Sequence, residues 1–311
     1  MTPLDCLPEP LRRPETTLTR IAAGLSGAEV YRVDADGQSF VLKRATSDQP
    51  VSDWLRQVRY QQLAGQSQLA PTVIHVEEKQ RAVLSTFLVD RAFPAFIGPP
   101  ATRPAALRLL GKTLRDVHAL PITEGHPGTD VRAFLVQVQT SLSGALPIFA
   151  ADAVQRVLDE TPPDSGRAPV LSHNDVNPTN LVFDGERLRL LDWDHAGPNE
   201  PYFDLATAAV FFRLNDADSV ALLSAYEERA VSALPERLRF DCRLVAALCG
   251  AMMLRVASRG DPAVRTSDEQ LETTLGLGDF YQRVRSGAES FATHEGQRRF
   301  GLALLKESLS R

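Results

Sequence analysis

Apolar and polar positions change period several times along this chain, and each change marks an element. Residues 17–22, 29–33 and 39–44 are short, rich in β-branched and aromatic residues, and predict three strands. Gly24-Leu25-Ser26-Gly27-Ala28 turns between the first two, and Asp34-Ala35-Asp36-Gly37 between the second and third. A helix is expected over 51–65 with Leu55, Val58 and Leu63 inward. Strands at 72–77 and 81–87 follow, turning at Glu78-Lys79-Gln80. Beyond Pro100 the period becomes helical. Leu107, Leu110, Leu114 and Val117 line one face, with His118 a structural residue at that helix end. Asp130 is placed to cap a helix running to Leu142, and two more short helical segments lead to the polar turn at 162–166.

A second β region lies inside the helical part. Pro169-Val170-Leu171 reads as a short buried strand that empties into a polar loop, His173-Asn174-Asp175 with Asn177, Pro178 and Asn180. Residues 181–183 and 188–191 are apolar and separated by Asp184-Gly185-Glu186-Arg187, a hairpin signal. Helices are then expected at 204–212, with Asp204 as N-cap, and at 218–230, 238–259, 267–285 and 288–309. A β-rich start, a helical remainder and 311 residues predict an α+β chain of two lobes, 1–88 and 89–311.

Composition narrows the function. Apolar residues make up 43% and charged residues 23%, ordinary values for a globular protein. A net charge of −5 without a Lys/Arg-rich run argues against a nucleic-acid partner. Cys6, Cys242 and Cys249 are odd in number and lack metal-ligand spacing, so they read as reduced thiols of a cytoplasmic protein. The first 15 residues do not read as a signal peptide, and no apolar run reaches the ~18–20 residues that would span a bilayer.

The chemistry concentrates in 171–206. Closing the hairpin returns Asp192 beside Asn180, so Asp175, Asn180 and Asp192 converge as oxygen donors of the kind that suits a hard cation. His173-Asn174-Asp175, Asn180 and Leu191-Asp192-Trp193 resemble the H-x-D-x(4)-N … D-(F/W) signature of the aminoglycoside phosphotransferase and choline kinase family, whose fold is that of the protein kinases. The resemblance implies a small β-rich nucleotide lobe and a larger helical lobe. It implies Asp175 as the catalytic residue that orients and deprotonates an acceptor hydroxyl, Asn180 and Asp192 as Mg²⁺ ligands, and His173 as a prop for the loop. Asn174 stands where protein kinases carry Arg, which favours the small-molecule branch.

The resemblance extends to the N-terminal strands. Ser26 and Gly27, in the Gly-rich turn, correspond to the loop that covers the nucleotide, and Lys43 to the strand lysine on the α/β-phosphates. The connector 85–90, through Thr86 and Leu88, would bond the purine edge. One departure stands out: the helix that normally supplies a glutamate to this lysine has none between Pro50 and Val76, which leaves Gln57 or Asp53 as the partner. The expected function is ATP- and Mg²⁺-dependent phosphorylation of a small alcohol. A cationic acceptor such as choline, ethanolamine or a thiamine-like alcohol comes first, met by Asp194, Glu200 or Asp216 and the faces of Trp193, Tyr202 or Phe212. The alternatives are an aminoglycoside acceptor and a nucleotide-binding pseudokinase. A P-loop ATPase is excluded by the absence of G-x-x-x-x-G-K-[ST].

Overall fold

The computed structural model describes residues 2–21, 27–46, 49–123, 128, 130–142, 144–260 and 269–311. Two compact units divide the chain. The first comprises Met1–His126, Val170–Pro198 and Ser224–Ala230, the second Pro127–Pro169, Asn199–Leu223 and Val231–Arg311.

The first unit is built on a five-stranded antiparallel sheet: β1 (Thr17–Ile21), β2 (Glu29–Ala35), β3 (Gln38–Arg44), β4 (Val73–Glu77) and β5 (Ala82–Thr86), in the order β1-β2-β3-β5-β4. Alternation along β3 and β5 sends side chains to two different covers. Phe40, Leu42 and Leu84 pack with Val33 and Ala82 beneath Cys6 and Leu7, so the sheet is closed on that side by the N-terminal turns Pro3–Cys6 and Glu9–Leu11. Val83, on the other face, meets Trp54 and Val58 of α1 (Val51–Gln66). Trp54 and Val58 lie four residues apart on one helix face and set its rotation. Leu55, expected inward, is consequently exposed, and Leu63 is half-buried.

After α2 (Phe93–Ile97) comes α3 (Arg103–His118), whose Leu107, Leu110, Leu114 and Val117 are all buried. His118 Nδ1 lies 2.9 Å from Tyr226 Oη at the end of that helix. The chain re-enters this unit as β6 (Val170–Ser172), β7 (Leu181–Phe183), β8 (Leu188–Leu190) and β9 (Gly197–Asn199), with β6 paired to β9 and β7 to β8.

The second unit is helical. Asp130 caps α4 (Val131–Ser141) as expected, its carboxylate accepting the Ala133 N–H at 2.9 Å. A single helix α5 (Ile148–Asp159) replaces the two short segments read from sequence. Further helices are α6 (Tyr202–Phe211), α7 (Asp216–Glu227), α8 (Glu236–Gly260), α9 (Leu277–Arg285) and α10 (His294–Ser310). Pro201 takes the N-cap position of α6, so Asp204 sits inside the first turn, fully buried, and is not the cap. The last two helices begin later than their apolar pattern implies. Gly276 precedes α9, and the Thr293 hydroxyl, accepting the Gly296 N–H at 3.0 Å, starts α10. A Cβ on Gly250 would lie 2.8 Å from the Gly301 carbonyl, so α8 and α10 meet backbone to backbone. Among the described residues no helix is long and apolar enough to cross a membrane.

Candidate active site

The β7–β8 hairpin is the scaffold. Its strands pair Leu181 with Leu190 and Phe183 with Leu188, and its turn is organised by Asp184. That carboxylate accepts the Arg187 and Glu186 N–H groups at 2.8 and 2.9 Å and the Arg189 guanidinium at 2.6 Å. These bonds, the backbone ones first, hold its pKa down at about 2. The hairpin is pinned from outside at both strands. Leu190 N–H donates to the Leu69 carbonyl at 2.8 Å, and Phe183 N–H donates to the Asp90 carboxylate at 3.0 Å. In the sequence Asp90 stands out only as part of the connector 85–90.

The polar loop between β6 and β7 grips its own carboxylate. Asn177 Nδ2 donates to Asp175 Oδ1 at 2.8 Å, and Asn180 Nδ2 donates to Asp175 Oδ2 at 2.7 Å. Two amides thus fix the carboxylate plane and leave it half-buried at the loop. Asn180 also accepts the Leu191 N–H on its backbone carbonyl at 2.8 Å, so Asp192 follows directly across from it. Beneath the loop His173 is fully buried, 2.9 Å from the Leu191 carbonyl and edge-on to Trp193 at 5.0 Å. Asn174 has φ +64° and donates to the His195 carbonyl at 2.8 Å. Asp192 has φ +62° and ψ +68°. Both residues occupy the left-handed region, which Asn and Asp tolerate better than other side chains.

Lys43, near the C-terminal end of the central strand β3, reaches this hairpin. Its Nζ lies 2.6 Å from Asp192 Oδ1 and 2.8 Å from Asp194 Oδ2. The three side chains keep 27, 36 and 31% of their exposure, so the cluster is open enough to admit a ligand. Burial works against the charge on Lys43, yet the carboxylates of Asp194 and Asp192 outweigh it and raise its pKa. Burial likewise opposes ionisation of Asp192, but Lys43 lowers its pKa. Asp194 is pushed up, by burial and by the neighbouring Asp192.

The remaining sequence-predicted residues fall as follows. Ser26 lies outside the described residues; Gly27 has φ +73°, a conformation that favours glycine. Gln57 is not paired with Lys43: its Nε2 donates to the Asp194 backbone carbonyl at 2.7 Å. Asp53 is turned away to Arg56, 2.5 Å from its guanidinium. Thr86 N–H is committed to the Thr72 carbonyl at 2.9 Å, whereas Leu88 has no hydrogen-bond partner among the described residues. The residues expected to meet a cationic acceptor are engaged elsewhere. Asp194 holds Lys43, Glu200 accepts from Ser165 at 2.9 Å, and Asp216 pairs with Arg239 at 2.8 Å. Trp193 is buried with its Nε1 on the Leu190 carbonyl, and the Tyr202 ring already carries Arg167 at 5.0 Å.

The donor chemistry fits a hard divalent cation. Two carboxylates face one ammonium, which leaves surplus negative charge at a half-open position. Among the described residues no group of three or more His, Cys, Asp or Glu forms a self-sufficient cage. One or two carboxylates together with phosphate is a common way to hold such a cation.

A five-stranded antiparallel sheet, a lysine on its central strand and a helical remainder define the kinase-like phosphotransferase fold. The model of the phosphotransferase enzyme family matches residues 17–240, and the chain belongs to that family. The choline/ethanolamine kinase family protein of Mesorhizobium loti shares the fold at a TM-score of 0.61 and 19% identity, over 94% of this chain and 92% of that one. An aminoglycoside-3'-phosphotransferase of type VIII does so at 0.55 and 20%, over 76% of this chain and 95% of that one. Protein LicA of Haemophilus influenzae is 37% identical over 54 residues, 17% of this chain and 20% of its own length, so the match spans about a fifth of that relative.

Proposed function

We propose that this protein is a cytoplasmic, ATP- and Mg²⁺-dependent phosphotransferase that acts on the hydroxyl of a small molecule, with the nucleotide on residues 1–88 and the acceptor on 89–311. The observation that carries this reading is one continuous chain of contacts. Lys43 bonds Asp192, the Leu191 N–H bonds the Asn180 carbonyl, and the Asn180 amide bonds the Asp175 carboxylate. Ammonium, cation donors and base are therefore positioned by the same backbone.

Each residue has a task that its geometry supports. Asp175, with two amides fixing its plane, accepts the proton of the acceptor hydroxyl and aligns that oxygen for in-line attack. Lys43 neutralises charge on the nucleotide phosphates, and Leu88 offers a free backbone to the purine edge. Gly27 lets the turn between β1 and β2 approach the phosphates without a Cβ in the way. Asn180 and Asp192 would hold Mg²⁺, which when bound draws off the negative charge that builds on the transferred phosphoryl group.

A choline-, ethanolamine- or thiamine-like alcohol remains the first acceptor class. Its support is the acidic chain and the family, because the three carboxylates named for it and the rings of Trp193 and Tyr202 are otherwise occupied. Aminoglycosides are the second class. The test is an ADP-release screen over choline, ethanolamine, thiamine, aminoglycosides, homoserine and neutral sugars. Turnover with one of the cationic alcohols is expected. Turnover confined to a neutral sugar would remove the cationic preference alone, and no ADP release with any acceptor would remove the enzyme reading in favour of a pseudokinase.

A further inference from the structure

We propose that Asp194 is the positioning carboxylate for Lys43 that α1 does not provide, and that Gln57 holds Asp194 in place for this task. The inference rests on the phosphotransferase reading above and names a residue that reading does not use.

Three observations converge on it. The α1 helix carries a single acidic residue, Asp53, and that residue is paired with Arg56. Lys43 nevertheless has two carboxylates, at 2.6 and 2.8 Å, both from the turn after β8. One of them, Asp192, directly follows Leu191, whose N–H bonds the Asn180 backbone carbonyl, and it is the carboxylate assigned to the cation above. Once Asp192 turns to a cation, Lys43 keeps a countercharge only if Asp194 stays. An ammonium left without one in a half-buried site would lose its fixed position.

The hydrogen bond of Gln57 explains why the helix carries an amide here. Its Nε2 donates to the backbone carbonyl of Asp194, not to the carboxylate, and its Oε1 accepts from Gln49 Nε2 at 2.8 Å. The turn 193–195 is thereby tied to α1 without engaging the Asp194 carboxylate, one oxygen of which stays on Lys43. A glutamate at 57 would set an anionic oxygen against that carbonyl. Gln57, Lys43 and Asp194 also border one small cavity of about 20 Å³, with Trp54 and Gln61. The helix thus still governs the lysine, acting through the turn.

The experiment is calorimetric binding of ADP to the full chain, in EDTA and across a Mg²⁺ titration, for wild type, Asp194→Asn, Asp194→Glu and Gln57→Glu, with melting temperatures as a control on folding. Asp194→Asn should weaken metal-free ADP at least tenfold and leave the Mg²⁺ midpoint within twofold. Asp194→Glu, which keeps the charge, should recover affinity to within threefold, and Gln57→Glu should weaken ADP by a smaller factor. Unchanged metal-free affinity in Asp194→Asn with a shifted Mg²⁺ midpoint would make Asp194 a cation ligand and overturn the proposal. Tighter ADP binding by Gln57→Glu would overturn the role of Gln57. Wild-type protein that binds no nucleotide under either condition would instead remove the phosphotransferase reading, and this inference with it.

Discussion

Each of the two units contains a cation between two carboxylates, and the two clusters behave differently. In the first, Lys43 bridges Asp192 and Asp194 at the end of a hairpin, with all three side chains partly open to solvent. In the second, Arg237 meets Asp241 with two bonds of 3.0 Å and stands 3.8 Å from Glu200, and the Asp241 side chain is only 1% exposed. The guanidinium also lies 5.8 Å from the Phe240 ring. The same charge formula thus gives an accessible cluster where it is held by loop backbone, and a staple where Asp241 is sealed along α8. Acidic content alone does not separate the two; access and backbone conformation do.

Matched substitutions put this contrast at risk. Arg237→Met should leave Asp241 buried without its partner and cost about 3–5 kcal/mol. Urea unfolding would register the loss, and ADP affinity should stay within twofold. A stable Arg237→Met protein would mean the sealed cluster is no staple. Lys43→Met should do the opposite. Transfer is expected to fall by roughly 10²–10³, as when one charge-stabilising group is removed, with the melting temperature within a few degrees of wild type. Equal losses of stability in the two variants would erase the distinction.

A smaller effect sharpens it. Burial pushes the pKa of Asp241 to about 7, against the opposing pull of Arg237 and with Glu200 nearby. Since the folded pKa lies above the unfolded value, the folded chain binds the extra proton between about pH 4 and 7. Stability from this group is therefore full below that window, falls through it and levels above pH 7. Asp241→Asn, which cannot ionise, should flatten the melting temperature across the window. A variant whose pH profile parallels wild type would assign the proton elsewhere.

Some of this was legible in the sequence for physical reasons. Strong periods survive folding: the stripe of Leu107, Leu110, Leu114 and Val117 is buried as read, and Asp-Gly between apolar runs does close the β7–β8 hairpin. Local hydrogen-bond chemistry survives too, as in Asp130 capping α4. What failed involved choices between neighbours. Asp53, Gln57 and Asp194 all carry polar groups that suit a lysine, and nothing in their spacing says which one the strand will face. The sequence offers Trp193 as an aromatic face for a ligand, but the ring, just past a buried strand, is placed inward against His173. Leu4, Leu7 and Leu11 show no run long enough to predict an element, yet they close one face of the sheet.

The left-handed backbone at Asp192 has a consequence for how such a chain changes by mutation. Glycine and asparagine accept that conformation, and from an aspartate codon each is a single-nucleotide step away. Alanine, by contrast, meets a backbone penalty of about 1–2 kcal/mol before any chemistry is counted, so an alanine scan would misreport this position. A lineage could therefore exchange the carboxylate for glycine or asparagine with little disturbance to folding. On the role proposed for Asp192, loss of transfer with retention of the fold is a short mutational path from this sequence, and a screen for well-folded variants would not detect it.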